Sequence, residues 1–408
     1  MSSGRPVRGT RPSAARWWLA LIGVVIVVIA ALIGGLTLVL GFPGRTGPPS
    51  PVVPPSAAAP TPSRSPVQSR PTRTNGPVQV RPAGRPLLRD AGAGPLWARS
   101  ASAVFRIDLA TGEVVRTPTP TLQAHSTLVA GPDWVAMKAI TGPVGAIVRD
   151  GSPAAELPAA LRTDGWLHRG PGNTIWLIPE QPAYPAPATG VVQLVGLNGQ
   201  VISHRSITID PQLGPAGYSD GYGGLLLTTR TGIYQTYPSA AHPTGRVRLI
   251  TRGALLGLGA RRLLIWDCDT RARCGVYRVD QATGRRTALP AAGPAITAAA
   301  GGSLEQIIDS GAQLSPDGKQ LALTAPDGNG SWRIHVVDLT TGRRTVLPGG
   351  ATDTNPNRQL AWTSNSRWLL GLTDRHLQAF NTRTRDTRTL AITDEELEHL
   401  TGPHIPGP

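Results

Sequence analysis

From about residue 92 to residue 390, apolar and polar positions alternate in short runs separated by turn-forming residues. The clearest case is "HVVDLTTGRRTVLP" (335–348). Fifty-eight residues earlier, 277–290 read "YRVDQATGRRTALP", identical at nine of fourteen positions. A period of two marks a strand with one buried face, and a glycine after Asp-x-x-Thr supplies the positive φ of a tight hairpin. The form recurs as "FRIDLATGEVVRT" (105–117) and, more weakly, at 146–158, 192–204, 234–250 and 377–390. Turn centres at Gly112, Gly151, Gly199, Gly245, Gly284, Gly342 and Arg385 are 39, 48, 46, 39, 58 and 43 residues apart. Before each hairpin stands another apolar strand, such as "PLWARS" (95–100), "WVAMKA" (134–139), "TIWLIP" (174–179) or "WLLGLT" (368–373). Several units also have an inner strand that ends in a tight turn, as in "LAWTSNSR" (360–367). Four antiparallel strands in about 43 residues is the size of a propeller blade. One such sheet cannot bury both faces, so the unit is repeated until the ring closes. The expected fold is therefore all-β: a β-propeller over residues 91–392 with seven blades, or six if one weak unit is a distorted insertion.

One blade can be compared with a known repeat. "LSPDGKQLALTAPDGNGSWRIHVVDLTTGRRTVLPGG" (314–350) resembles the WD-like repeat of TolB-type β-propellers. There a Ser-Pro-Asp-Gly turn joins the inner strands and Asp-x-x-Thr-Gly joins the outer ones. Only this blade carries the whole pattern; residues 101–117 and 275–290 carry its outer half. The resemblance implies an extracytoplasmic platform that binds protein. It speaks to architecture far more than to activity, because propellers host many functions.

The N-terminal part is different in kind. Residues 1–16 contain four arginines and no acid, and the next 24 residues, Trp17 to Leu40, carry no charge. Such a run exceeds the roughly 20 residues needed to cross a bilayer and is too long for the apolar core of a cleaved signal peptide. The arginines before it and the Trp17-Trp18 pair place the N-terminus in the cytoplasm. We therefore expect a cytoplasmic tail (1–16), a transmembrane signal anchor (17–40) and everything beyond it outside the cell membrane. Residues 43–86 hold thirteen prolines, and 41–90 read as a Pro-rich disordered stalk. Residues 393–408 read as a C-terminal tail.

Charge then needs dividing. The net +15 suggests nucleic acid until eleven arginines and no acid are found within residues 1–89. The remaining 319 residues hold 29 basic and 25 acidic side chains. With no basic helix and no aromatic-basic RNA motif, nucleic acid is not an expected partner. The tail and linker arginines suit topology and attraction to anionic lipid or wall polymer.

Candidate chemistry is sparse. The repeated Asp108, Asp280 and Asp338, with Asp317, sit at hairpin mouths, where a short carboxylate stabilises the bend by accepting turn amides. Trp97, Trp134, Trp176, Trp266 and Trp368 recur on second strands and are expected to pack between sheets. Trp166 and Trp362, near inner strands, are better placed to stack on a ligand. Cys268 and Cys274 bracket "DTRAR" at a turn; outside the cell a disulfide is the simplest reading, with free thiols or a metal site as alternatives. That bridge would hold a basic tip, Arg271 and Arg273, in shape. The eight histidines show no metal-ligand spacing, and "DEELEH" (394–399) with His404 reads as a solvated helical turn. No G-x-S-x-G, H-E-x-x-H, Walker or G-x-G-x-x-G pattern occurs, so no catalytic residue, metal or cofactor is assigned. Residues 290–313 run about 15 residues beyond a normal connection, as a binding loop or as filler.

The leading expectation is a membrane-tethered, non-catalytic propeller binding an envelope protein or a cell-wall polymer. The alternative is an enzyme acting on glycan, a lyase or hydrolase with a channel-facing site. A sensor ectodomain is disfavoured by the 16-residue cytoplasmic part. Nothing in the sequence signals an oligomeric state.

Overall fold

The computed structural model describes residues 76–402 apart from 93, 123–125, 179–187, 210–216, 220–223, 230–231, 240–241, 260, 272, 303–306, 308–311, 328, 330 and 352–358. The expected anchor at 17–40 and most of the stalk lie outside these residues. Among the described residues no helix is long and apolar enough to cross a membrane.

The fold is all-β and propeller-like. Its strands make four sheets of four strands, one of five and one of eight. Seven separate four-stranded sheets were expected, and here the structure differs: five sheets are of blade size and the sixth is twice as large. The cause is one parallel bridge, Leu258 to Gln313, which joins the meander Ala254–Gly259, Arg262–Cys268, Cys274–Asp280, Arg286–Ala288 to the next, Gln313–Leu314, Gln320–Pro326, Trp332–Asp338, Arg344–Val346. Successive innermost strands lie side by side, for example Leu360–Trp362 beside His399–Thr401 and Ser126–Ala130 beside Trp166–Arg169. Each meander turns twice at one end of the ring, between its first and second strands and between its third and fourth. This is the turn end. The hairpins between second and third strands and the connections between sheets lie at the opposite, crossover end.

The repeat supplies the turn-end chemistry. Asp108 Oδ1 accepts the amides of Ala110 and Thr111, Asp280 Oδ1 those of Ala282 and Thr283, and Asp338 Oδ1 those of Thr340 and Thr341. Asn381 does the same with Arg383 and Thr384. Four residues on, Gly112, Gly284, Gly342 and Arg385 take φ of 78°, 73°, 72° and 68°. The last is a non-glycine in the left-handed region, and it is accommodated because Asn381 builds the same turn around it. At the inner turn, Ser315 Oγ accepts the amides of Lys319 and Gln320, and Asp317 Oδ1 also accepts that of Lys319. These carboxylates stabilise turns, as read from the sequence.

At Gly245 the structure has a strand where the sequence predicts a turn. Residues His242–Thr251 are one strand, and the hairpin turns between the paired Ser239 and His242. The apparent Thr-Gly signal falls inside a strand long enough to continue through it.

The first and last described strands meet on one sheet, whose order is Val78–Arg81, Val114–Pro118, Ala103–Ile107, Leu96–Arg99, His399–Thr401. The expected tail is thus the innermost strand, with Leu400 1 % exposed in the same apolar cluster as Leu96, Phe105 and Ile107. "DEELEH" is not a solvated helical turn. His399 pairs with Arg99 because Leu397 and Leu400 need an apolar seat. The stalk boundary also moves: residues 78–81 are a fifth, outermost strand, and Leu88 is buried. Gly112 records this lead-in, since a Cβ there would lie 2.0 Å from the carbonyl oxygen of Arg85.

Between sheets the core is made by second strands. Trp97, Trp134, Trp176 and Trp368 are buried, and Trp266 packs half-buried against the cluster of the eight-stranded sheet. The described part of the long connection at 290–313 includes a packed helix. Its helix Ala292–Ala299 buries Ala292, Ile296 and Ala299 against Val276, Val337 and Leu339, sealing the space between the halves of that sheet.

Candidate functional site

The residues singled out from the sequence do not converge. Trp166 is the first residue of its innermost strand, at the crossover end; Trp362 is the last of its own, at the turn end. Trp362 is buried, and its Nε1 donates to the carbonyl of Gln313 at 3.1 Å. That nitrogen ties two neighbouring sheets together, leaving little of the ring to stack on a ligand. Trp166 is half-buried.

Cys268 and Cys274 form a disulfide across the crossover-end hairpin. Within it Asp269 Oδ1 accepts the amides of Arg271 and Arg273, and Asp269 Oδ2 pairs with the Arg273 side chain at 2.8 Å. The amide of Arg273, with smaller help from its side chain and from the Arg271 amide, holds the Asp269 carboxyl below its ordinary pKa. Arg271 and Arg273 are exposed.

A denser polar group at the crossover end was missed by sequence reasoning, because its members lie some 280 to 300 residues apart. Arg99 Nη2 donates to Glu398 Oε2, while Ser100 Oγ and Arg116 Nε each donate to Glu395 at 2.5 Å. Arg375 pairs with Glu396. Burial acts to raise the Glu395 pKa, but hydrogen bonds from Arg116 and Ser100 and the Arg116 charge outweigh it, and the carboxyl stays below its ordinary value. The acidic run "DEELE" was the available signal. Its use is to fasten the closing strand to the first sheet.

Lys138 lies in the second sheet and is 0 % exposed. Its Nζ donates to the carbonyls of Ile140, Thr163 and Gly165 at 3.2, 2.7 and 3.1 Å. Beside it, Asp164 Oδ1 accepts the Gly142 amide at 2.7 Å. These contacts lock the hairpin of one sheet to the connection that enters the next.

On the innermost strand Trp166–Arg169, burial lowers the His168 pKa to about 4 and that of Arg169 to about 10. His168 Nε2 is buried and has no hydrogen-bond partner among the described residues. No group of three or more His, Cys, Asp or Glu side chains comes together as a metal site among the described residues.

No family model matches the sequence, and no curated protein matches it either. Solved structures do show likenesses. A protein provisionally assigned as a 6-phosphogluconolactonase from Bacteroides uniformis is 15 % identical, with 75 % of this chain and 98 % of that one covered and a TM-score of 0.46. The periplasmic gluconolactonase of Pseudomonas aeruginosa is 14 % identical, with 75 % and 98 % covered and a TM-score of 0.42. TolB from Acinetobacter baumannii is 14 % identical, with 63 % and 64 % covered and a TM-score of 0.33. The architecture is a TolB-like propeller. All three TM-scores fall below 0.5, so the description rests on this chain's own strand pairing and on its Ser-Pro-Asp-Gly and Asp-x-x-Thr-Gly turns.

Proposed function

We propose that this chain is a membrane-tethered, extracytoplasmic propeller that acts as a non-catalytic binding platform for an envelope component. In this reading the eight-stranded sheet is two blades sharing one bridge, and the ring counts seven. The single observation that carries the reading is the state of the crossover-end carboxylates. Six of them, Glu395, Glu396, Glu398, Asp267, Asp269 and Asp327, are each engaged by an arginine, and Asp164 and Asp374 accept backbone amides. A general acid or base needs a group free to exchange its proton with a substrate, and ion-paired carboxylates that fasten strands serve rigidity instead. The disulfide supports an oxidising compartment, and the uncharged run Trp17–Leu40 supports the tether.

The test is retention of the tagged full chain, in detergent, on purified cell wall, and its co-purification with solubilised envelope protein. Saturable retention on wall, or a stoichiometric complex with one envelope protein, is expected. Loss of both would refute the platform.

One observation favours the second reading, an enzyme acting on glycan from the channel. His168 lies on an innermost strand, and its buried Nε2 has no hydrogen-bond partner among the described residues, which leaves one polar side chain there without structural work. Turnover of wall fragments that disappears in His168→Ala would replace the platform with this reading.

A further inference from the structure

The two ends of the ring differ in how their charges are used. At the crossover end six carboxylates, Glu395, Glu396, Glu398, Asp267, Asp269 and Asp327, pair with arginines, while Arg271 is exposed with no side-chain partner among the described residues. At the turn end of the eight-stranded sheet the charges do not balance. Six cations, Arg261, Arg262, Arg278, Arg285, Lys319 and Arg343, stand around its turns against three carboxylates, Asp280, Asp317 and Asp338.

The carboxylates are occupied with backbone. Asp280 and Asp338 each accept two amides of their own turns, and Asp317 accepts one and also faces the exposed Lys319 ammonium at 4.0 Å. Hydrogen bonds from Thr283 hold the Asp280 pKa down, and Asp338 is held down against the effect of burial by those from Thr341. Arg262 and Arg278 are also structural, donating to the carbonyls of Asp317 and Gly318 across the join.

Arg285 and Arg343 have no such work. They hold the same position in two successive repeats, one residue beyond the positive-φ glycine. Both are exposed, and neither side chain makes a hydrogen bond or ion pair with a described residue. In two other repeats that position is acidic, Glu113 in the first sheet and Asp386 in the last. In each of the four the backbone carbonyl accepts the amide of the residue that opens the turn, so the fold sets no sign for the side chain. The duplicated Thr-Gly-Arg-Arg thus gives one sector of the ring a regular pair of guanidinium groups with no partner among the described residues, and exposed Lys319, only loosely paired with Asp317, lies between them in sequence.

We infer that this sector, around Arg285, Lys319 and Arg343, is a docking surface for an anionic polymer that bears repeated phosphodiester groups. The inference deepens the platform reading and rests on it. Planar guanidinium groups pair with phosphate in bidentate fashion, and matched cations on successive blades suit a ligand whose charge repeats along a chain. A polymer is chosen over lipid headgroups because Arg285 and Arg343 recur at one position of two successive repeats, which a chain of linked phosphates can engage together.

The experiment uses the full chain in a non-ionic detergent and, as probe, fluorescently labelled poly(glycerol phosphate), read by anisotropy over a salt series. Dextran and phosphatidylglycerol vesicles are run beside it. The variants are Arg285→Gln/Lys319→Gln/Arg343→Gln and, as a crossover-end control, Arg271→Gln. All replaced side chains are exposed, so unfolding temperatures should match the parent. The parent should bind the polymer and not dextran. The triple variant should lose roughly tenfold or more in affinity, with a salt slope shallower by about two to three, as counterion release predicts for lost phosphate contacts. The control should bind like the parent. A triple variant that binds as tightly as the parent, an equal loss in the control, or vesicles outcompeting the polymer would overturn the assignment. Retention of the parent on cell wall that the triple variant keeps would overturn this surface while leaving the platform standing; absence of parent retention anywhere would remove the platform itself.

Discussion

Replacing Lys138 by methionine tests how this ring manages a buried charge. The side chain is 0 % exposed, and its ammonium donates to three carbonyls that belong to two successive sheets. Methionine keeps the length and apolar stem but has no donor. Ile140 and Gly165 are buried while Thr163 is exposed, so water can replace the lysine only at Thr163. Each orphaned buried carbonyl costs about 1–3 kcal/mol, which gives about 2–6 kcal/mol for the pair. Against this stands the relief of no longer burying an ammonium, several kcal/mol in an apolar site but less where three carbonyls already solvate it. We expect a net loss of about 3 kcal/mol. With an unfolding entropy near 2.1 cal/mol/K per residue, a domain of roughly 300 residues should then melt about 5 °C lower. Calorimetry gives the midpoint, and hydrogen exchange should locate the loosening at 140–165. An unchanged or raised midpoint would show that desolvating the ammonium outweighs its three hydrogen bonds.

Other perturbations have equally definite signs. His335 is buried, and burial, with the nearby Arg344 charge, lowers its pKa to about 4, with Asp327 opposing. Because the unfolded chain binds this proton first, the histidine takes nothing from stability above pH 6.5 and removes stability as pH falls from about 6.5 to 4. His335→Leu should flatten the melting temperature over that interval, and an unaltered slope would rule out the histidine as its source. Deleting residues 398–408 removes the innermost strand of the first sheet, with buried His399 and Leu400, and should abolish cooperative unfolding; a sharp calorimetric transition near the parental temperature would contradict closure by this strand. Cys268→Ser opens a loop with a sequence separation of six and should cost about 2 kcal/mol, confined to the hairpin because Asp269 still holds the Arg271 and Arg273 amides. Circular dichroism melts would expose a larger, global loss. Glu395→Gln leaves Arg116 and Ser100 without their carboxylate and should lower the midpoint by a few degrees, more at low salt than at high, since Arg116 and Glu395 are only partly buried.

What was legible in the sequence is local. Asp108, Asp280 and Asp338 with their Thr-Gly partners specify a turn within five residues, and the tryptophans of second strands mark the faces that pack between sheets. Gly245 shows the limit of that reasoning. His-Pro-Thr-Gly has the right composition for a turn, yet the strand His242–Thr251 runs straight through it. Pairing with Gly232–Ser239, which decides the matter, is fixed by a neighbouring strand rather than by the four residues themselves.

The remainder depends on contacts that no window can contain. Leu397 and Leu400 sit in a polar-looking terminus, and nothing nearby offers them a seat; it is Leu96 and Phe105, about three hundred residues earlier, that do so. The charges follow the same logic. "DEELE" looks like a solvated acidic run until Arg99, Ser100, Arg116 and Arg375 are brought against it. Arg285 and Arg343 look like ordinary surface residues until the ring places their repeats in succession at one end, where their turn carboxylates already serve the backbone. A closed ring turns sequence repetition into spatial repetition. Where the repeated position is free of structural work, its side chains form a pattern that a repeating ligand can match, and Arg285 and Arg343 meet that condition while Asp280 and Asp338 do not.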